Sequence, residues 1–143
     1  MTRFVAVAFA FLGLAGPSHA ADISGLWLTD TADAHIRMAK CGANMCGTII
    51  WLKEPKDPQT GKVLTDVHNH DPAKRSRPLL GIQIAIDFHP LPEDPATFVG
   101  QFYNADDGNT YRGSISQPNP DALRVEGCLL MFCQAQIWTR VKH

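Results

Sequence analysis

The sequence predicts an all-β fold: a small barrel of eight antiparallel strands in up-and-down order. Three observations carry this. Eight short strand-like runs recur along the chain, turn-forming Gly, Pro, Asn and Asp clusters separate them, and almost no run has helical periodicity. Closing such a sheet removes the edge strands that would otherwise template aggregation. Eight strands make a barrel wide enough for packed side chains or one small ligand. A two-sheet sandwich is the alternative arrangement.

The first twenty residues stand apart from this pattern. Arg3 gives a basic start, Phe4 to Leu14 is apolar, and Ser18-His19-Ala20 has the small-x-small form of a cleavage site. This reads as a secretory signal peptide cleaved near Ala20, with a periplasmic or secreted destination. The apolar run falls short of the ~20 residues a membrane span needs. Residues 21–143 are then one domain. Removing Arg3 from the 13 basic residues leaves 12 against 14 acidic ones. That balance lacks the clustered positive charge of nucleic-acid binders and anionic-membrane binders.

The strand signals follow in order. "SGLWLTD" (24–30) and "AHIRMAK" (34–40) come first, then "CGTIIWL" (46–52). After a long polar insert, 53–80, "IQIAIDF" (82–88) alternates, with Ile82, Ile84, Ile86 and Phe88 expected on one apolar face. "TFVGQFYN" (97–104) and "NTYRGSIS" (109–116) flank Asp107–Gly108, a strong hairpin signal because a primed turn needs positive φ. The fifth run is apolar on both faces, so its inward side is not set by pattern. "DALRVEG" (121–127) and "QAQIWTRV" (134–141) complete the set.

All four cysteines lie beyond the leader, as "CGANMC" (Cys41, Cys46) and "CLLMFC" (Cys128, Cys133). Three pairings are open. The identical spacing favours Cys41–Cys46 and Cys128–Cys133, each stapling a hairpin neck. A four-thiolate zinc site competes poorly, since zinc ribbons use tighter spacing and an oxidising compartment disfavours free thiols.

The first strand carries Gly25-Leu26-Trp27 and the last Trp138-Thr139-Arg140. A closed barrel sets these strands side by side. Trp27 would then plug one end with the Arg140 guanidinium over its ring, an attraction of roughly 0.5–2 kcal/mol. Arg140 would also cap carbonyls near the chain start, and Gly25 would let the backbone pass close to the ring.

These residues resemble the calycin pattern of lipocalins and their relatives. The whole exported chain resembles, more specifically, the bacterial exported family called domain of unknown function 2147. The matching pieces are "GLW" (25–27), "CGANMCGTIIWLKEP" (41–55), "TDVHNHDPAKRSRPLLG" (65–81), "FYNADDGNTYRGSI" (102–115) and "IWTRV" (137–141). The resemblance implies a calycin-like barrel, secreted or periplasmic, and no activity. One departure is local: the family often has Asn-Pro-Asp where this chain has Asn69-His70-Asp71, with Pro72 following.

The insert is where function is expected. Asp71 suits an N-cap and Pro72 the first helical position, so a short helical turn should end before Pro78. Asp66 and Asn69 sit at turn-forming positions that can bond local backbone amides. Leu79 and Leu80 would anchor this flap over one barrel mouth. Three readings compete. In the first, Asp66 or Asp71 pairs with Arg75 or Arg77 and the flap is a structural plug. In the second, an arginine holds the head of a small amphipathic or anionic ligand. Ile82, Ile84 and Ile86 then take its apolar body. Asp66, Asn69, Arg75, Arg77, Trp51, Tyr103 and Tyr111 are the candidate binding residues. In the third, His68 and His70, two apart and on one side of an extended chain, bind a metal with Asp66 or Asp71. That signal is weak, and no cofactor is expected. No G-x-S-x-G, P-loop or dinucleotide fingerprint occurs, and Asp106 and Asp107 are accounted for by the hairpin turn. A ligand-binding barrel therefore stands first, a filled structural or interaction barrel second, an enzyme last.

Overall fold

The computed structural model describes Gly13 and residues 21–142. The leader expected over residues 1–20 otherwise lies outside the described residues. Eight strands form, as expected: β1 (Gly25–Leu28), β2 (Ala34–Cys41), β3 (Asn44–Leu52), β4 (Gln83–Pro90), β5 (Thr97–Asn104), β6 (Asn109–Asn119), β7 (Ala122–Leu129) and β8 (Phe132–Arg140). Each pairs antiparallel with the next, and β8 pairs with β1 to close the barrel. A 3-10 turn, Pro72–Lys74, is the one helical element among the described residues, with Asp71 as its N-cap accepting from the Ala73 amide.

Up-and-down order fixes which connections share an end. The β1–β2 turn, the long β3–β4 insert, the β5–β6 turn and the β7–β8 hairpin lie at one end. The start of β1, the end of β8 and the three other turns lie at the opposite end. At that second end the chain is sealed. Trp27 is fully buried and its indole Nε1 donates to the Ile23 carbonyl at 3.0 Å. The Arg140 guanidinium lies 4.2 Å from the Trp27 ring centroid. Its nitrogens donate to the carbonyls of Pro120 (2.8 Å), Ser24 (3.0 Å) and Asp22 (3.4 Å). Gly25 serves the arginine rather than the tryptophan. A Cβ there would sit 2.7 Å from Arg140 Nη1, and its φ of 114° disfavours any side chain.

The half of the barrel next to this seal is packed with side chains. Phe88 is fully buried, its ring centroid 4.8 Å from Phe102, which in turn lies 6.1 Å from Trp138. The glycines of β5 and β6 make room for these rings. A Cβ on Gly100 would come within 2.9 Å of Phe88, and one on Gly113 within 2.5 Å of Phe102. On β5, Phe98 and Phe102 face inward, which decides the orientation that the pattern left open.

Strand β4 departs from the expected single apolar face. Ala85 and Phe88 are fully buried, whereas Ile86 lines a shallow groove on the outer wall with Val99 and Gln101. The register against β3 slips between Gly47 and Thr48, and against β5 between Ile86 and His89. Asp87, at φ 52°, sits within the second slip. Extra residues of this kind bend a strand and re-aim its side chains, which a tightly curved barrel requires. The alternation across "IQIAIDF" is therefore interrupted, and Ile86 leaves the interior.

Both disulfides pair locally, Cys41–Cys46 and Cys128–Cys133. They staple the β2–β3 and β7–β8 hairpins at opposite ends of the barrel. Each short loop is expected to contribute about 2 kcal/mol by constraining the unfolded chain. A Cys41→Ser, Cys46→Ser variant should show that loss in urea unfolding. An unchanged midpoint would mean that the hairpin is held without its staple.

Candidate functional site

The insert is fastened by its own backbone before any side chain contributes. The Asp66 amide donates to the Arg77 carbonyl at 3.0 Å and the Leu79 amide to the Leu64 carbonyl at 3.0 Å, folding the segment back on itself. Leu64 and Leu79 then face the barrel mouth.

Asp66 is the hub. Its side chain is fully buried. It accepts from the Tyr103 hydroxyl at 2.6 Å, Asn69 Nδ2 at 2.8 Å, and Arg77 Nε and Nη2 at 2.9 Å each. Burial alone would raise the Asp66 pKa. The hydrogen bonds from Tyr103, Asn69 and Arg77, together with the arginine's charge, outweigh it and hold the carboxyl below its ordinary value. Tyr103 is shifted upward, by burial and by donating to a carboxylate. The Arg77 guanidinium also lies 5.9 Å from the Tyr103 ring centroid. Asn69 Oδ1 accepts from the Asp71 amide, as its turn position suggested. Asp66 differs from that expectation: its carboxylate takes side-chain donors, not local amides.

A second fastening lies at the β5–β6 turn. Gly108, at φ 73°, lies against the carbonyl of His68, where any Cβ would collide. Asp107–Gly108 thus forms a hairpin turn and also the seat on which the flap docks. The Tyr111 hydroxyl donates to Asp107. This bond raises the tyrosine pKa. It also helps to lower that of Asp107, against the opposing effect of burial.

Beside this clamp the barrel is hollow. A cavity of about 990 Å³ opens at the flap end, within the upper range of small-molecule sites. Its walls are Ile49, Ile84, Phe102, Val125 and Trp138 below, with Tyr103, Tyr111 and Gln134 nearer the mouth. The filled-barrel arrangement therefore holds only for the sealed half. Ionisable groups in the lining are Asp33, Lys53, Glu54 and Asp106, besides the two tyrosines. The Asp33 pKa is lowered: hydrogen bonds from Thr29 and Thr31 and the nearby charge of Lys53 overcome the upward effect of burial.

The candidate binding residues thus separate into groups. Tyr103 and Tyr111 line the cavity. Asp66, Asn69 and Arg77 come together, but with one another rather than with the cavity wall. Arg75 is exposed and its Nε donates to the Asn69 carbonyl at 2.8 Å. Trp51 is 40% exposed on the outside of β3, its ring centroid 4.4 Å from that of His35. Neither arginine is part of the cavity lining: Arg77 pairs with Asp66, and Arg75 bonds flap backbone through Nε. His68 and His70 join no cluster of three potential metal ligands among the described residues. The two such clusters found each consist of a cystine and one carboxylate. Sequence reasoning missed Ile49, Phe102 and Val125 as cavity wall. Their only signal was inward parity, which a run apolar on both faces, such as β5, does not set.

The sequence profile of a family described as "uncharacterized protein conserved in bacteria (DUF2147)" matches residues 25–140. The chain belongs to the DUF2147 family. The matched span runs from Gly25 on β1 to Arg140 on β8, so this DUF2147 domain is the closed barrel itself. Among solved structures, the chain is similar to protein HP1028 from Helicobacter pylori, described as belonging to the lipocalin family. The two share 18% identity with a TM-score of 0.68, over 85% of this chain and 84% of the other. At that identity the likeness is one of fold. No curated protein sequence matches this DUF2147 chain. Among the described residues no helix is long and apolar enough to cross a membrane.

Proposed function

We propose that this is an exported binding protein that holds a small amphipathic molecule in the open half of its barrel, with the 66–81 segment as a fixed rim. The half-filled interior carries the reading: aromatic packing stops at Phe102 and Trp138, and about 990 Å³ remains above them. The apolar lower wall suits an alkyl or ring body. The mouth suits the head group. Asp33, Glu54 and Asp106 outnumber Lys53 there, and Tyr103 and Tyr111 supply aromatic rings. Both features favour a neutral or cationic head over an anionic one, since ring faces attract cations. Two disulfides support the export part of the reading, because such bonds persist in oxidising compartments.

The test is a head-group series on one alkyl chain: dodecanol, dodecyltrimethylammonium and laurate, titrated by calorimetry at neutral pH below their aggregation limits. The alcohol and the ammonium compound should bind, with laurate weaker by roughly tenfold, about 1.4 kcal/mol. Ala105→Trp, which fills the mouth, should abolish binding, whereas Trp51→Ala on the outer wall should not affect it. Failure of all three probes to bind would overturn the proposal. Tighter binding of laurate would overturn the head-group assignment.

A further inference from the structure

The β7–β8 hairpin at the cavity end presents large apolar side chains to solvent. Leu130 is 80% exposed, Met131 86% and Phe132 76%. Isolated exposed apolar residues are ordinary; three in succession at a tip, beside the half-exposed Leu129, are not. No ionisable side chain occurs from Gly127 to Thr139, where both cysteines are disulfide-bonded. The Cys128–Cys133 bond holds the tip rigid. The matching hairpin at the sealed end has the same cysteine spacing but carries Gly42, Ala43 and Asn44.

The backbone gives an independent indication. Leu130 occupies the first central position of a two-residue turn with φ 55°. Such a turn normally places glycine there, and a bulky side chain in the left-handed region is strained. Conformational preference therefore does not account for the leucine. Strain of this kind points to a use for the side chain itself.

We infer that this tip is a membrane-docking device that inserts Leu130, Met131 and Phe132 into the interface of a phospholipid bilayer. The inference rests in part on the ligand reading above, because Leu129 and Phe132 also line the cavity mouth. An amphipath could then pass between bilayer and barrel along a continuous apolar path. The shape favours a bilayer over a second copy of the chain. A convex turn of four side chains offers far less than the roughly 800 Å² per partner of a standard protein interface, whereas a bilayer needs no complementary surface. The barrel wall away from the tip exposes Arg37, Gln101 and Arg124, confining contact to the hairpin, while Arg112, beside the tip, donates Nη2 to the Leu130 carbonyl at 3.3 Å. The acidic overall balance supplies no long-range attraction. Insertion is hydrophobic, so binding should survive high salt.

Flotation with vesicles of phosphatidylethanolamine and phosphatidylglycerol tests this. The full-length mature protein should float with the vesicles in both low and high salt. A Leu130→Gly, Met131→Ser variant relieves the turn while removing apolar surface. It should lose vesicle binding by at least about tenfold, keep its dodecanol affinity, and melt no lower than the parent. No flotation of the parent would overturn the inference. So would release by salt, flotation unaffected by the variant, or a concentration-dependent dimer that the variant abolishes. Vesicle binding without any amphipath binding would retain the docking tip and remove the ligand reading.

Discussion

An Asp66→Ala variant is expected to lose about 3 kcal/mol of stability and to melt roughly 10 °C lower, with its flap detached. The reason is the number of groups that depend on one carboxylate. Tyr103, Asn69 and Arg77 all donate to it, and it is fully buried. Removing it leaves the tyrosine hydroxyl and the asparagine amide with an unmet partner in a low-dielectric setting, where such a loss costs most. Arg77 is partly exposed and can recover water, which keeps the estimate below that for a wholly buried ion pair. Circular dichroism melts would give the total, and hydrogen exchange should localise the loss to residues 64–81. Unchanged protection there would show that the insert is held by its leucines and by the Gly108 seat alone.

The same residue sets a pH dependence. The Asp66 pKa is lowered on folding. Its stabilisation is therefore fully present above the ordinary aspartate value of about 3.9 and is lost as pH falls through the lower folded value. Asp66→Asn should be less stable than the parent at neutral pH, with the gap closing across that acid window. A gap that stays constant with pH would mean that charge plays no part in the clamp. On the alkaline side Tyr103 acts in the opposite sense. Its raised pKa gives stabilisation present below about pH 10 and lost as pH rises through the folded value.

The second large effect is expected at the seal. Trp27→Ala should cost about 3–5 kcal/mol, the range for emptying a buried aromatic site, against a total stability of roughly 5–15 kcal/mol for a native domain. Arg140→Ala should cost about 2–3 kcal/mol, since it removes a cation from the indole face and leaves three carbonyls without their donor. The seam makes this damage specific. β1 meets β8 through only two paired positions, Trp27 with Arg140 and Leu28 with Thr139. Hydrogen exchange in Arg140→Ala should therefore open residues 25–28 first and leave β5–β7 protected. Arg140→Lys should not restore protection, because an ammonium cannot span carbonyls on Asp22, Ser24 and Pro120 from one planar group. Full rescue by lysine would show that charge over the ring is sufficient without the fork of donors.

The insert shows how far local reading reaches. Asp71 and Pro72 announced a capped helical turn, and one formed at Pro72–Lys74. Asn69 has the chemistry of a turn residue, and its Oδ1 accepts from the Asp71 amide. The carboxylate of Asp66 could be assigned to an arginine in the flap from proximity in sequence. Its tyrosine partner, 37 residues away, could not. Tyr103 reaches Asp66 because β5 lies two strands from β3 and the insert spans that gap to rest on Gly108. Nothing within either segment records this. Trp51 illustrates the opposite error. An aromatic residue beside the insert suggests a pocket wall, yet strand parity turns it outward onto His35.

The sequence by itself marked the eight strands, and it favoured their up-and-down order, the two local disulfides and the meeting of Trp27 with Arg140. Each follows from short-range terms: side-chain alternation, turn chemistry, cysteine spacing, and the need of a closed sheet to join its first strand to its last. Tertiary structure alone decided that Ile86 faces outward, that Phe88 and Phe102 fill one half against Gly100 and Gly113, and that the other half stays open. Those outcomes depend on register between neighbouring strands. A shift of one residue there exchanges inside for outside along everything that follows, and no single strand carries the information to set it.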